Sequence, residues 1–190
     1  MLSLALAALV LGHVGKAAEW NCASTSGTFD RSTDCTMGDE VAVSGDLTVT
    51  GKETVYSTLT AASGRHFRIT SGAHRVSLSW LKMTGGDVGS GNGGSIYVYN
   101  VAAHLNISHC VFFNNRAGHG GAIFASGGQA NLLFSFARFT ENKADDYGGA
   151  VFLRNAKLVD HSSMYNMNTA EQYYGGALYL NYGSHSSFYN

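Results

Sequence analysis

The feature that most limits the fold of this chain is a repeat with a period of 27 or 28 residues. Each copy has an aromatic residue, an Asn three residues later, an Ala two residues after that, and then Gly-Gly-Ala, an aliphatic residue and an aromatic residue. The pattern occupies residues 112–124, 139–152 and 165–179, and pairs of glycines begin at positions 93, 120, 148 and 175. Repeats of this length are typical of solenoids, propellers and arrays. The chain is therefore expected to stack copies of one unit.

The sequence between the glycines predicts strands. Short alternating runs at 47–49, 67–69 and 76–83 are bounded by single glycines, and no long stretch beyond residue 17 keeps helical spacing. Because parallel strands need a long crossover, a unit without helices indicates a coil in which the rest of each turn is the crossover. We expect an all-β fold, a right-handed parallel β-helix solenoid with about three strands in each turn of ~27 residues. Residues 41–190 would make five or six turns.

The composition suits a folded chain outside the nucleic-acid-binding classes. Hydrophobic residues make up 45% of the sequence, which is enough to fill a continuous core. Charged residues make up only 13% and the formal net charge is -1, so there is no basic stripe that could follow a phosphate backbone. Nucleic acid is not expected as a partner.

The first 17 residues have the outline of a secretory signal peptide. A short apolar run is followed by small residues, with a predicted cut after Ala17. A signal anchor or a buried strand is the alternative, but the run is too short to span a bilayer as a helix. The mature chain is expected to be secreted or held at the cell surface.

Residues 18–40 have no clean period and are expected to form an amino-terminal cap over the open end of the solenoid. In an exported chain Cys22 and Cys35 are expected to form a disulfide within this cap. Cys110 is the third cysteine, and Ala137 occupies its position in the next repeat. Cys110 is therefore predicted to be an inert thiol in a column of small buried residues.

Two kinds of column follow from stacking the repeats. Aliphatic and aromatic residues alternate after each glycine pair, so one column faces the core and its neighbour faces outward. The outward column is a ladder of aromatic rings that could bind sugar rings or another protein, or could be a packing seam under a loop; burial of all four rings would exclude binding. Its members are Tyr97, Phe124, Phe152 and Tyr179. A second, structural ladder of amides is predicted at Asn115, Asn142 and Asn168.

The combination of Phe-x-x-Asn with Gly-Gly-Ala and an aliphatic residue resembles the repeat of the chlamydial polymorphic outer membrane proteins. It is also similar to the wider pectin-lyase-like superfamily of right-handed parallel β-helices. The resemblance covers residues 93–190, with departures at Ser95 and Tyr165. It implies a secreted or surface-exposed β-helix, often adhesive in the bacterial family, whereas enzymes of the superfamily cut acidic polysaccharides. The repeat is expected to continue after Asn190, with membrane attachment through a missing carboxyl-terminal region.

The residue types that could support catalysis do not form a recognisable constellation. Polysaccharide cleavage needs carboxylates together with a base or a second carboxylate. The candidates near the repeats are Arg116, Arg138, Glu141, Lys143, Asp145, Asp146, Arg154 and Asp160. Residues 89–94 spell Gly-x-Gly-x-x-Gly but precede a strand, and His104 and His109 lack metal-ligand spacing. We predict no catalytic, cofactor-binding or metal-binding residue and no cofactor.

The sequence therefore predicts a non-catalytic scaffold for adhesion or for binding carbohydrate or protein. Its partner would be a polysaccharide or a surface protein, and a polysaccharide lyase or hydrolase is the alternative. Specificity is expected where the copies differ, in residues 116–119, 143–146 and 169–174. Asn106 begins an Asn-x-Ser sequon on an outward strand position and is a predicted glycosylation site.

Overall fold

The structure is a computed structural model that describes residues 17–72, 74–127 and 129–190. The predicted signal peptide, residues 1–17, lies outside the described residues except for its last position. Within the described ranges the chain is entirely β. Over the same ranges we find no helix with the length and apolar character needed to cross a membrane.

Short strands follow one another along the whole described chain. In chain order they are β1 (Ala18–Glu19), β2 (Gly27–Asp30), β3 (Cys35–Met37), β4 (Val41–Ala42), β5 (Leu47–Thr50), β6 (Ser57–Ala61), β7 (Phe67–Ile69), β8 (Arg75–Ser79), β9 (Leu81–Thr84), β10 (Ile96–Tyr99), β11 (His104–Ser108), β12 (Val111–Phe113), β13 (Arg116–His119), β14 (Ile123–Ser126), β15 (Asn131–Ser135), β16 (Arg138–Thr140), β17 (Lys143–Tyr147), β18 (Val151–Arg154), β19 (Lys157–His161), β20 (Met164–Asn166), β21 (Thr169–Ala170), β22 (Leu178–Asn181) and β23 (His185–Tyr189).

The strands stack in parallel into four sheets. Sheet A has the order β1-β2-β5-β8-β11-β15-β19-β23, sheet B β3-β6-β9-β12-β16-β20, sheet C β4-β7-β10-β14-β18-β22 and sheet D β13-β17-β21. One turn passes through sheets A, B, D and C, as in β15, β16, β17 and β18. Sheets B and C have six strands each, so the coil makes about six turns. The predicted parallel β-solenoid is confirmed, and sheet D adds a fourth strand that the sequence did not predict.

The core is a continuous apolar column inside the coil. Equivalent residues of neighbouring turns face each other, as Ile96, Ile123 and Val151 do in sheet C, where all three are fully buried. In sheet B the ring of Phe139 stacks between those of Phe112 at 4.8 Å and Tyr165 at 5.0 Å. Each such side chain contributes about 1.5–3 kcal/mol through burial. Because every turn supplies the same positions, the repeat specifies the core.

The glycine pair of each repeat is required for two different reasons. The first glycine lies in the left-handed region, with φ of 62° at Gly120 and 64° at Gly148. The second glycine lies against the next turn: a Cβ on Gly121 would come 2.2 Å from the carbonyl oxygen of Gly149, and one on Gly149 would come 2.1 Å from that of Gly176. A side chain at the second position would therefore force the turns apart.

The amino-terminal segment continues the solenoid sheets. Strand β2 pairs with β5 and β3 with β6, both in parallel. Trp20 is fully buried, and its ring stacks on that of Phe67 at 5.8 Å. The predicted disulfide between Cys22 and Cys35 is confirmed, with the two Cα atoms 6.6 Å apart. The boundary between a cap and the solenoid at residue 40 stays a prediction.

Candidate functional site

Three asparagines form a hydrogen-bonded ladder at the bend between sheets B and D. Asn115 Nδ2 donates to Asn142 Oδ1 at 3.0 Å, and Asn142 Nδ2 donates to Asn168 Oδ1 at 3.0 Å. Asn142 Nδ2 also donates to the carbonyl oxygen of Phe112 at 2.9 Å. Asn115 and Asn142 are fully buried. Buried amides that satisfy one another hold the turns in register, and they leave no polar group for a ligand.

The aromatic ladder on the outer face of sheet C is stacked but largely covered. The ring of Phe124 lies 5.4 Å from Tyr97 and 5.0 Å from Phe152, and Phe152 lies 5.5 Å from Tyr179. Phe124 and Phe152 are only 6% and 4% exposed. Tyr97 and Tyr179 are half-buried. The two central rings are thus inaccessible to a ligand, and only Tyr97 and Tyr179 at the ends of the ladder are partly accessible.

The cover comes from sheet D and the segment that follows it. The imidazole of His119 meets the ring of Phe152 edge-on at 5.3 Å, and the ring of Tyr147 lies 4.6 Å from that of Tyr179. Tyr147 also stacks on Tyr173 at 4.9 Å. Side chains in or next to the segments where the repeat copies differ therefore form an outer aromatic layer over the ladder.

The outermost part of this layer is exposed. Tyr173 is 55% and Tyr174 70% exposed, and both contact the half-buried Tyr147. Desolvation, followed by the neighbouring phenol of Tyr179, raises the pKa of Tyr147, so the Tyr147 hydroxyl is neutral at physiological pH. We call the cluster of Tyr147, Tyr173, Tyr174 and Tyr179 the tyrosine face.

Charged residues beside the tyrosine face are mostly paired across turns. Arg116 Nη2 donates to Asp145 Oδ1 at 2.9 Å, an interaction that raises the pKa of the Arg116 guanidinium. Lys143 Nζ lies 2.7 Å from Glu171 Oε1. These pairs link turns along sheet D in the same way as the amide ladder. They leave the candidate acid Asp145 engaged with a cation.

The other three candidate acids near the repeats have different surroundings. Asp146 Oδ2 lies 3.7 Å from His119 Nδ1, which is too far for a hydrogen bond. Asp160 is 2% exposed and faces the interior, where its Oδ2 accepts a 2.5 Å hydrogen bond from the Tyr165 hydroxyl. Glu141 is exposed on a bend. Among the described residues no three His, Cys, Asp or Glu side chains cluster in a way that could hold a metal ion.

Three further predicted positions are also described. Asn106 is exposed on the outer face of β11, and its glycosylation stays a prediction. Cys110 is fully buried as a free thiol, and burial raises its pKa to about 12, so the reactive thiolate is absent at neutral pH. The ring of His109 stacks between those of Trp80 at 4.2 Å and Phe136 at 5.0 Å.

Sequence reasoning missed two buried polar sites. His66 is fully buried; its ring nitrogens lie 2.9 Å from the Leu59 carbonyl oxygen and 3.1 Å from the Ser95 hydroxyl. The signal was the register, because His66 and Ser95 occupy the place of the Ala in the later Gly-Gly-Ala motifs. The second site is the pair of Asp160 and Tyr165, where an acid stands in a column of apolar residues.

These observations define a parallel β-solenoid of stacked repeats with a tyrosine face on one side. Residues 109–126 match the family model of the Chlamydia polymorphic membrane protein (Chlamydia_PMP) repeat. The match spans one copy, from the residues before β12 to the end of β14, and confirms the resemblance for this repeat. No curated protein and no solved structure gives a significant match. The similarity to pectin-lyase-like proteins stays a prediction.

Proposed function

We propose that this chain is a non-catalytic adhesion scaffold at the cell surface or in the extracellular space, and that it binds a partner protein through the tyrosine face. The observation that carries the proposal is the exposure of Tyr173 and Tyr174 next to two half-buried tyrosines. The match to a polymorphic membrane protein repeat supports the surface location. The predicted signal peptide and the disulfide agree with export.

Tyrosine is well suited to such a role. Its ring supplies a large contact area with few torsions to immobilise, and its hydroxyl can bond to a polar partner. The rings of the tyrosine face rest on the stacked ladder of sheet C, so they are held in place before a partner arrives. A prearranged surface loses less conformational entropy on binding.

The paired charges form the rim of this surface. The ion pairs of Arg116 with Asp145 and of Lys143 with Glu171 flank the tyrosines at the side where the copies differ. Interfaces commonly have an aromatic centre and a polar rim of this kind. Glycan binding at the same face is the other form of the proposal that an experiment must separate from protein binding.

Adhesion of beads coated with the purified chain to cultured cells tests the proposal. The double substitution Tyr173→Ser with Tyr174→Ser is expected to lower adhesion at least tenfold. Tyr189→Ser is the matched control, since Tyr189 is 53% exposed on sheet A. Protease treatment of the cells should abolish adhesion, whereas glycosidase treatment should not.

A polysaccharide-cleavage assay tests the enzymatic alternative. Release of unsaturated or reducing uronate from polygalacturonate by the purified chain, lost in Asp146→Ala, would overturn the scaffold proposal. Equal adhesion of the double tyrosine variant and the unsubstituted chain would overturn the assignment of the tyrosine face.

A further inference from the structure

One open cleft lies outside the tyrosine face. It is an open trough of about 510 Å³ along the bends that lead from sheet C into sheet A. A second cleft of about 230 Å³ adjoins it and shares Asn155 and Gly183. Together they form one groove parallel to the solenoid axis, which we call the C–A groove.

Stacking fixes the length of the C–A groove. Tyr99, Ser126, Arg154 and Asn181 are successive partners in sheet C. Tyr99 and the neighbour of Asn181, Tyr182, are therefore three turns apart, or about 14 Å at the usual strand spacing. Tyr99 is 48% and Tyr182 77% exposed. Two exposed rings thus stand near the two ends of one trough.

The charge of the C–A groove is positive, although the whole chain has a net charge of -1. Arg154 and Lys157 line it, and neither forms an ion pair with any described residue. The Arg154 guanidinium lies 5.8 Å from the ring centre of Tyr182. No described Asp or Glu lines the groove. Both cations are therefore available to pair with an anionic ligand.

The floor of the groove offers hydrogen-bonding groups that the fold does not use. Asn100 and Asn155 are exposed, and their side-chain amides make no hydrogen bond to a described residue. This contrasts with the buried amide ladder, in which every group is satisfied. Glycines of the neighbouring turns pack closely against these asparagines: a Cβ on Gly127 would lie 3.3 Å from Asn100 Oδ1, and one on Gly183 would lie 3.3 Å from Asn155 Oδ1.

We propose that the C–A groove binds an anionic oligosaccharide. Its carboxylate or sulfate groups would pair with Arg154 and Lys157, its sugar rings would lie against Tyr99 and Tyr182, and its hydroxyls would bond to the amides of the floor. Arginine matches planar and tetrahedral anions through several N–H donors. The exposed tyrosine rings favour a ligand with flat apolar faces as well as charge over a free inorganic anion. This site is separate from the tyrosine face and goes beyond the adhesion proposal.

Isothermal titration of the purified chain with oligogalacturonates and with heparin-derived oligosaccharides tests the inference. Neutral oligosaccharides of the same length are the comparison. The anionic ligands are expected to bind, with affinity falling as salt increases from 50 to 500 mM because charge pairing is screened, a range over which the Debye length shrinks from roughly 14 to about 4 Å. Whether carboxylated or sulfated ligands bind more tightly identifies the anionic group.

Single substitutions separate the groove from the rest of the surface. Arg154→Gln is expected to weaken binding at least tenfold and Tyr182→Ser about tenfold, as expected for loss of a charged hydrogen bond and of a ring contact. Arg138→Gln is the matched control, because Arg138 is exposed on sheet B and also has no ion pair among the described residues. All three side chains are exposed, so the variants should keep the circular dichroism and urea midpoint of the parent chain.

The outcome is decisive in both directions. No binding of either anionic ligand at millimolar concentration, equal binding of neutral oligosaccharides, or equal weakening by Arg138→Gln would overturn the assignment. Loss of oligosaccharide binding in Arg154→Gln with bead adhesion unchanged would support the groove independently of the tyrosine face. Tyr173→Ser with Tyr174→Ser should leave titration unchanged, so failure of one proposal is distinguishable from failure of the other.

Discussion

The amide ladder makes a quantitative prediction, because the Asn142 side chain makes four hydrogen bonds in a fully buried position. Its Oδ1 accepts from the backbone N–H of Asn115 at 3.1 Å and from Asn115 Nδ2 at 3.0 Å. Its Nδ2 donates to Asn168 Oδ1 at 3.0 Å and to the Phe112 carbonyl oxygen at 2.9 Å. The substitution Asn142→Ala removes all four bonds at once.

The magnitude follows from the partners that remain. The N–H of Asn115 and the carbonyl of Phe112 lose a bond in a site without room for bulk water, and each such loss costs about 1–3 kcal/mol. Asn115 Nδ2 keeps its bond to Met83, and Asn168 Oδ1 keeps the bond from the Asn142 backbone. Asn142→Ala should therefore lower the free energy of unfolding by about 4 kcal/mol, a large part of the ~5–15 kcal/mol of a typical domain.

Urea unfolding followed by circular dichroism measures this change, and amide hydrogen exchange at Asn115 localises it. Asn131→Ala is the matched control: its Nδ2 makes one bond, to the Gln129 carbonyl oxygen, at an exposed site. That variant should stay within about 0.5 kcal/mol of the parent. Asn142→Asp should be more destabilised at pH 7 than at pH 3, since only the protonated carboxyl can donate to an acceptor.

Two results would refute the reasoning. Equal effects of Asn142→Ala and Asn131→Ala would show that water or relaxation replaces the ladder bonds. A large loss of stability without faster exchange at Asn115 would show that the effect arises elsewhere in the chain.

Three further predictions concern buried groups. Tyr165→Phe should lower the free energy of unfolding by about 1–3 kcal/mol, because Asp160 loses its hydrogen-bond donor. Adding Asp160→Leu should restore most of the lost stability in urea unfolding, and no restoration would contradict this account. Burial lowers the pKa of His66 from its ordinary 6.5 to about 4, so the unfolded chain binds more protons than the folded chain between these pH values. The free energy of unfolding should therefore fall by about 3 kcal/mol as the pH decreases from 6.5 to 4. His66→Gln should remove this pH dependence, and an unchanged dependence would place its origin in another group. Cys110 should react with a thiol reagent only in denaturant, and rapid labelling of the native chain would contradict its burial.

The repeat made much of the fold predictable. In a solenoid each residue meets its own counterpart one turn away, so spacing in the sequence becomes distance in space. The stacking of Ile96 on Ile123 and of Asn115 on Asn142 could be read from a period of 27 residues. The disulfide of Cys22 with Cys35 was predictable from composition and compartment.

The candidate sites were less predictable because they depend on contacts between different parts of a turn. The outward direction of Phe124 and Phe152 followed from strand alternation, but their burial follows from side chains of sheet D. Alternation fixes the side of a sheet on which a residue lies, and it does not say what covers that side. The C–A groove could not be predicted from the sequence either, because it is lined by Gly127 and Gly183 together with asparagines of neighbouring turns.

The sequence by itself thus determined the period, the parallel stacking of strands and the residues that stack from turn to turn, because these depend on one repeated distance. The tertiary structure decided which outward residues remain accessible, because accessibility depends on how loops of unequal length fold back over the coil. In the tertiary structure the centre of the aromatic ladder is buried, whereas Tyr173 and Tyr174 are exposed. Arg154 and Lys157 line an open groove without acidic partners among the described residues.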